Sequence, residues 1–158
     1  MSGVKGDAVM LPAAGSLELE RFLPYRLSVL SNRVSSRIAG TYEKKFGLTI
    51  PEWRVMAVLG RFPGLTAAEI SERTAMDKVQ VSRAVARLQA SERVEQKAVD
   101  GDRRAKHLYL SAAGRLDHSA IVPLAREMER RLVVALSPAE RSKLDEILDK
   151  LLAASASL

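Results

Sequence analysis

The chain has 158 residues, 47% hydrophobic but only 4% aromatic, and a formal net charge of +6. That length suffices for one domain with a substantial core, and few aromatics among many Ala, Leu, Val and Arg favour helices. With no cysteine, a disulfide framework, a thiolate metal site and a redox switch are excluded. No apolar run approaches the roughly 18 residues of a membrane span. No basic segment followed by an apolar one marks a signal peptide, so a cytoplasmic protein is expected.

Residues 1–16 are small, Gly-containing and aperiodic, which predicts a disordered or loosely tethered segment. A long helix is expected from Glu18 to about Lys45, with Leu23, Leu27, Leu30, Val34 and Ile38 on one apolar stripe. Pro24 is tolerated near its start or marks its true beginning. Phe46-Gly47-Leu48 ends it. Thr49-Ile50-Pro51-Glu52 is a capping box with proline in the first turn. It opens a helix to about Gly60 that buries some of Trp53, Met56, Val58 and Leu59, and Phe62-Pro63-Gly64 breaks it. Thr66-Ala67-Ala68-Glu69 is a second capping box. Asp77 caps the next helix, with Gln80 placed to reach back, and only Ala75 and Met76 separate the two helices, so they meet at a sharp angle.

Val94–Val99 and Lys106–Leu110 read as short strands around the turn signal Asp100-Gly101-Asp102. Alternation puts Leu108 and Leu110 on one face, His107 and Tyr109 on the other. Ser111 caps a helix to about Leu136 with the stripe Ile121, Leu124, Met128, Leu132 and with Pro123 inside. Ser137-Pro138-Ala139-Glu140 caps a last helix carrying Leu144, Ile147, Leu148, Leu151 and Leu152. The fold class is mainly α with a small β hairpin, in the order ααααββαα: a winged helix-turn-helix. Three parts are expected: the segment 1–16, a helical region made of 17–48 and 111–158, and the winged helix-turn-helix over 49–110.

In the helix after Asp77, Val81, Val85 and Leu88 share the core face. Lys78, Val79, Gln80, Ser82, Arg83 and Arg87 are left to face outward. Arg suits the O6/N7 edge of guanine and Gln the N6/N7 edge of adenine, while Ser and Lys suit phosphate. The helix N-terminus adds phosphate affinity. Arg103, Arg104 and Lys106 place three cations at the hairpin tip, where an Arg can enter a narrow, strongly negative minor groove. Each feature alone also describes an ordinary solvated surface. Their order and spacing together point to double-stranded DNA.

The basic surplus does not sit in this segment. Residues 21–61 carry eight Lys/Arg against two Glu, whereas residues 62–110 carry nine against seven. Arg26, Arg33 and Arg37, at i, i+7 and i+11, form a stripe about 60° around the first helix from its apolar one. Trp53 and Arg54 follow nearby in sequence. An apolar wall edged with Arg suits an aromatic anion. The same arginines equally suit a border where stems lie along apolar surface or pair across a dimer, and Trp53 equally suits a core.

Asp77-Lys78…Val81-Ser82-Arg83…Leu88 and Asp100-Gly101-Asp102-Arg103-Arg104-Ala105-Lys106…Leu108-Tyr109-Leu110-Ser111…Gly114 resemble the MarR-type winged-helix regulators over roughly residues 18–154. The resemblance implies an obligate homodimer, interlocked through the first and last two helices, that binds a pseudo-palindrome with two recognition helices. It also implies a repressor released by a small ligand held between the dimerisation and DNA-binding parts. Two positions depart from the family pattern: Ala75 and Glu92 stand where Gly is usual.

A narrower resemblance, over Leu23-Pro24-Tyr25-Arg26-Leu27…Leu30-Ser31-Asn32-Arg33-Val34-Ser35 and Gly47–Arg54, is to the branch controlling hydroxycinnamate catabolism. It implies an effector such as p-coumaroyl-CoA or feruloyl-CoA, whose phosphates would meet Arg26, Arg33, Arg37 and Arg54 beside Trp53. Free phenolic acids or other aromatic compounds are the alternative effectors. An architectural winged-helix protein without sequence preference is the alternative class. His107 and His118 lack metal-ligand spacing, and no G-x-S-x-G or phosphate loop is present. Neither an enzyme, a cofactor nor a metal is expected.

Overall fold

The computed structural model describes residues 15–99 and 102–157, and their side chains apart from those of 99 and 102–104. Its elements are α1 (Leu23–Phe46), α2 (Ile50–Arg61), α3 (Ala67–Thr74), α4 (Lys78–Ala90), β1 (Val94–Val99), β2 (Asp102–Leu110), α5 (Ala112–Val133) and α6 (Pro138–Ser155). Among the described residues, six helices and a two-stranded antiparallel sheet make up the winged helix-turn-helix expected from the sequence. The chain divides after Val34 into two compact units. Among the described residues no helix is long and apolar enough to cross a membrane.

Local chemistry sets most boundaries. At Thr49, Thr66 and Ser137 the capping boxes close in both directions. Asp77 caps α4 in one direction only: its carboxylate accepts from the Gln80 N–H at 2.8 Å, without a return bond from the Gln80 side chain. That differs from the expected reciprocal box. Helix α1 begins at Leu23, later than the expected Glu18, because Pro24 has no N–H to donate and fits only a first turn. Residues ahead of it form a turn, with the N–H of Phe22 donating to Glu18 at 3.0 Å.

Strand β2 begins at Asp102 and not at Lys106, with Val99 opposite Asp102. Arg103 and Arg104 therefore belong to a strand and not to a turn. Polar residues predict a strand poorly, and here cross-strand pairing overrides that preference. Residues 100 and 101 of the turn signal, and most of the 1–16 segment, lie outside the described residues.

The core of residues 35–157 gathers Tyr42, Leu48, Val55, Met56, Leu59, Ile70, Met76, Val81, Leu88, Val94, Leu108, Leu110 and Ile121. Val55 buries fully although it stood outside the expected set, while Trp53 and Val58 are half-buried. In residues 15–34, Leu23, Leu27 and Leu30 of the first stripe are all exposed. Helix α6 buries no residue, and Leu144, Ile147, Leu148, Leu151 and Leu152 all face outward. Leu132, on the α5 stripe, is exposed too.

Candidate nucleic-acid interface

Helix α4 divides by face. Val81, Ala84, Val85 and Leu88 are buried, as the i, i+4, i+7 spacing demands. Lys78, Val79, Gln80, Ser82, Arg83 and Arg87 are all exposed. Val79 is 57% exposed, an apolar group in water whose chemistry suits a thymine methyl. The first turn of α4 carries no acid, but the Asp77 carboxylate stands at its N-cap and takes the Gln80 N–H.

The turn into α4 is tight because Ala75 caps α3 in the left-handed region, at φ 52° and ψ 29°. Ser71 Oγ donates to the Met76 carbonyl at 2.6 Å, and Met76 is buried. The exit from α4 is a second left-handed residue, Glu92 at φ 58°. The Arg93 N–H donates to Leu88 at 2.8 Å and the Glu92 N–H to Gln89 at 3.0 Å. That pair of bonds is a Schellman motif. Both positions that depart from the family's glycine thus adopt the conformation glycine would.

The wing is anchored at its base. Val94, Leu108 and Leu110 are buried. The Gly64 N–H donates to Leu108 at 2.9 Å and the Leu108 N–H to Leu65 at 2.9 Å, tying β2 to the loop between α2 and α3. His107 Nδ1 meets the Gly64 carbonyl at 2.8 Å. Ser82 and Lys106 line one open groove of about 590 Å³ between α3, α4 and the wing, together with Gln89 and Gln96. The side chains of Arg103 and Arg104 lie outside the described residues.

Of the candidate effector residues, Arg26 and Arg33 belong to the first unit and Arg37, Trp53 and Arg54 to the second. Arg26 and Arg33 are exposed on the first half of α1, beside a shallow hollow of about 420 Å³ that also includes Tyr25 and Leu30. Arg37 is exposed. Trp53 is wedged between Tyr42 and His118, with ring centroids 5.7 Å away on each side. Arg54 donates to Ser35 Oγ at 3.2 Å. Burial pushes the Tyr42 hydroxyl up to about 12, partly offset by the nearby Arg54 cation, and burial lowers His118.

Three groups escaped the sequence reading. His118 is a joint between α5 and Trp53, and it lines a cleft of about 340 Å³ with Gly60, Lys97, Tyr109 and Arg115. Arg93 donates to Asp117 at 2.6 Å and to the Phe46 carbonyl at 2.8 Å, binding β1 to α5 and α1. Glu52 is a buried acid facing Arg87. The Asp117–His118 pair stood next to each other in sequence, but their partners are distant along the chain.

A helix-turn-helix with an exposed, largely polar face on its second helix and an attached hairpin defines the winged-helix fold. The model of the MarR family matches residues 46–105. Solved structures extend the likeness to nearly the whole chain. A MarR/EmrR family regulator from Acinetobacter sp. ADP1 is 25% identical, covering 90% of this chain and all of its own (100%), with a TM-score of 0.83. A probable transcriptional regulator from Pseudomonas aeruginosa is 27% identical over 84% of this chain and 98% of its own, at a TM-score of 0.68. The fold is also that of Bordetella bronchiseptica BpsR, whose DNA binding is regulated by 6-hydroxynicotinic acid, at 23% identity over 87% of this chain and 97% of its own and a TM-score of 0.75. Comparison with curated proteins finds no match. Over residues 46–105 the chain is thus similar to the MarR family, and over most of its length to solved structures of transcriptional regulators.

Proposed function

We propose that the chain acts as a homodimeric repressor that places α4 of each protomer in the major groove of a pseudo-palindromic operator. Lys78, Val79, Gln80, Ser82 and Arg83 make the groove and phosphate contacts, and Arg103, Arg104 and Lys106 of the wing approach the minor groove. The division of α4 into a buried apolar face and a wholly exposed face of DNA-compatible side chains carries this reading. Residues 49–110 form the DNA-binding domain, and 17–48 with 111–158 the dimerisation region. The exposed leucine-rich faces of α1 and α6 support that assignment.

Selection from a random pool of DNA duplexes tests the reading. Enrichment of an inverted repeat, with half-sites one helical turn or a multiple apart, is the expected outcome. Enrichment of no sequence assigns the protein to the architectural class instead.

Release by a small anionic aromatic effector completes the proposal, with p-coumaroyl-CoA or feruloyl-CoA as the leading class and free phenolic acids as the alternative. The regulation of BpsR by an aromatic acid favours this kind of ligand. The surplus of cations at residues 21–61 favours one carrying phosphates. Arg26, Arg33, Arg37, Trp53 and Arg54 are the residues assigned to it. A thermal-shift screen across CoA thioesters and free aromatic acids distinguishes the two. Calorimetry without binding of any acyl-CoA overturns the thioester reading.

A further inference from the structure

Arg87 lies on the same face of α4 as Gln80 and Arg83, seven and four residues back. Its side chain meets a charged partner in the protein. Its Nη1 is 3.6 Å from Glu52 Oε1, with side-chain exposures of 68% for the arginine and 7% for the glutamate. The other Glu52 oxygen accepts the Thr49 N–H at 2.9 Å, closing the cap of α2. A buried carboxylate needs compensation. Among the described residues Arg87 is the cation that meets it.

On its inner face α4 buries Val81, Val85 and Leu88 against the core. That packing seats α4 on the core, and the pair to Glu52 adds a charged tie between α4 and α2 at the edge of it. The forked bonds of Arg83 and Gln80 to base edges depend on placement within a fraction of an ångström to an ångström.

We propose that Arg87 is a positioning residue and not a DNA contact: paired with the buried Glu52, it sets the roll of α4 on α2 and so aims Gln80 and Arg83. The inference rests on α4 being the DNA-reading helix. Arg87→Ala leaves the Glu52 carboxylate buried without its cation and should also lower the melting temperature, so the readout for positioning is discrimination between duplexes and not stability.

The test uses the full chain, a duplex that the wild-type protein has selected from a random pool, and an unrelated duplex of equal length. Affinities are measured by fluorescence anisotropy across a salt series. Arg87→Ala and Glu52→Gln should each weaken binding to the selected duplex about tenfold or more, and leave the unrelated duplex nearly unchanged. The slope of log K against log salt should hold, and the double variant should be no weaker than either single one, as residues acting through one interaction require. Arg87→Lys should recover part of the loss. Gln at position 52 keeps the cap bond to Thr49, and position 87 is exposed, so both variants are expected to fold. If Arg87→Ala instead weakens both duplexes equally and lowers the salt slope by about one, it is a phosphate contact and the proposal fails. It fails also if Glu52→Gln leaves discrimination intact. A wild-type protein that selects no sequence overturns the regulator reading and this inference with it.

Discussion

Two residues hold backbone conformations that their side chains disfavour, and both flank α4. Ala75 and Glu92 have positive φ at 52° and 58°, which costs roughly 1–2 kcal/mol for a residue with a Cβ. Glycine removes that strain but loses more entropy on folding, roughly 0.5–1 kcal/mol relative to Ala. The balance favours glycine, so Ala75→Gly should stabilise by about 1 kcal/mol and raise the melting temperature by about 2–4 °C. A lower melting temperature would show that the turn is relaxed with alanine. His118 gives a pH dependence. Burial holds its pKa below the ordinary 6.5, so the unfolded chain binds its proton first as pH falls. Stability is therefore full above about pH 6.5 and declines as pH drops from there through the folded pKa. Thermal unfolding at pH 7.5 and 5.5 should show this loss in the wild type and a smaller one in His118→Phe, which retains a ring against Trp53. Glu69, Glu127, Glu140 and Glu146 are held below the ordinary carboxylate value too, and so lie below this window.

At the scale of elements, what was legible in the sequence was what short-range chemistry fixes. Thr49, Thr66 and Ser137 announced their helices because a capping box is complete within four residues. The buried and exposed faces of α4 followed from its period. Legibility failed where a distant partner decides. Strand β2 runs back to Asp102 because β1 pairs with it there, and nothing in Asp102-Arg103-Arg104 signals a strand. The ties Arg93–Asp117 and Arg87–Glu52 span 24 and 35 positions and leave no local mark. Gly114 lies between these cases. Its place three residues after the Ser111 cap was visible, but the reason for a glycine was not. A Cβ there would collide with the Arg93 carbonyl, where the Ser111 N–H also donates at 3.0 Å. Gly114→Ala gains up to about 1 kcal/mol of helix propensity and pays for a backbone clash that no rotamer change relieves, typically 1–3 kcal/mol or more. The clash should win, giving a net loss in denaturant midpoint with an unchanged slope. A stabilised variant would mean that α5 can withdraw from β1 at little cost.

For the molecule as a whole, the unanswered surface is apolar. Helix α6 presents Ile147, Leu148 and Leu151 to solvent, flanked by the Glu146 pairs with Lys143 and Lys150. A lone helix with such a face gains nothing from it, because its stability in water rests on burying that face. On the proposed reading a second copy covers it, and a two-fold interface presents each substituted position twice. Charge placed there is therefore doubled and desolvated. Ile147→Asp with Leu151→Asp should convert a dimer of about 35 kDa, twice the 17.3 kDa chain, into a monomer or a partly unfolded chain. Sedimentation velocity distinguishes these species, and a wild-type protein sedimenting at 17.3 kDa would rule out the dimer. The consequence for DNA follows from linkage of two weak readers. Residues 62–110 carry a surplus of only two positive charges, so a single reader has little non-specific attraction to draw on. Joining two readers at fixed spacing makes the second contact intramolecular, worth about 10²–10⁴ in avidity. The monomeric variant should lose discrimination by about that factor on a selected inverted repeat, and by far less on a single half-site. Equal losses on both duplexes would place the defect in the reading heads and not in their pairing.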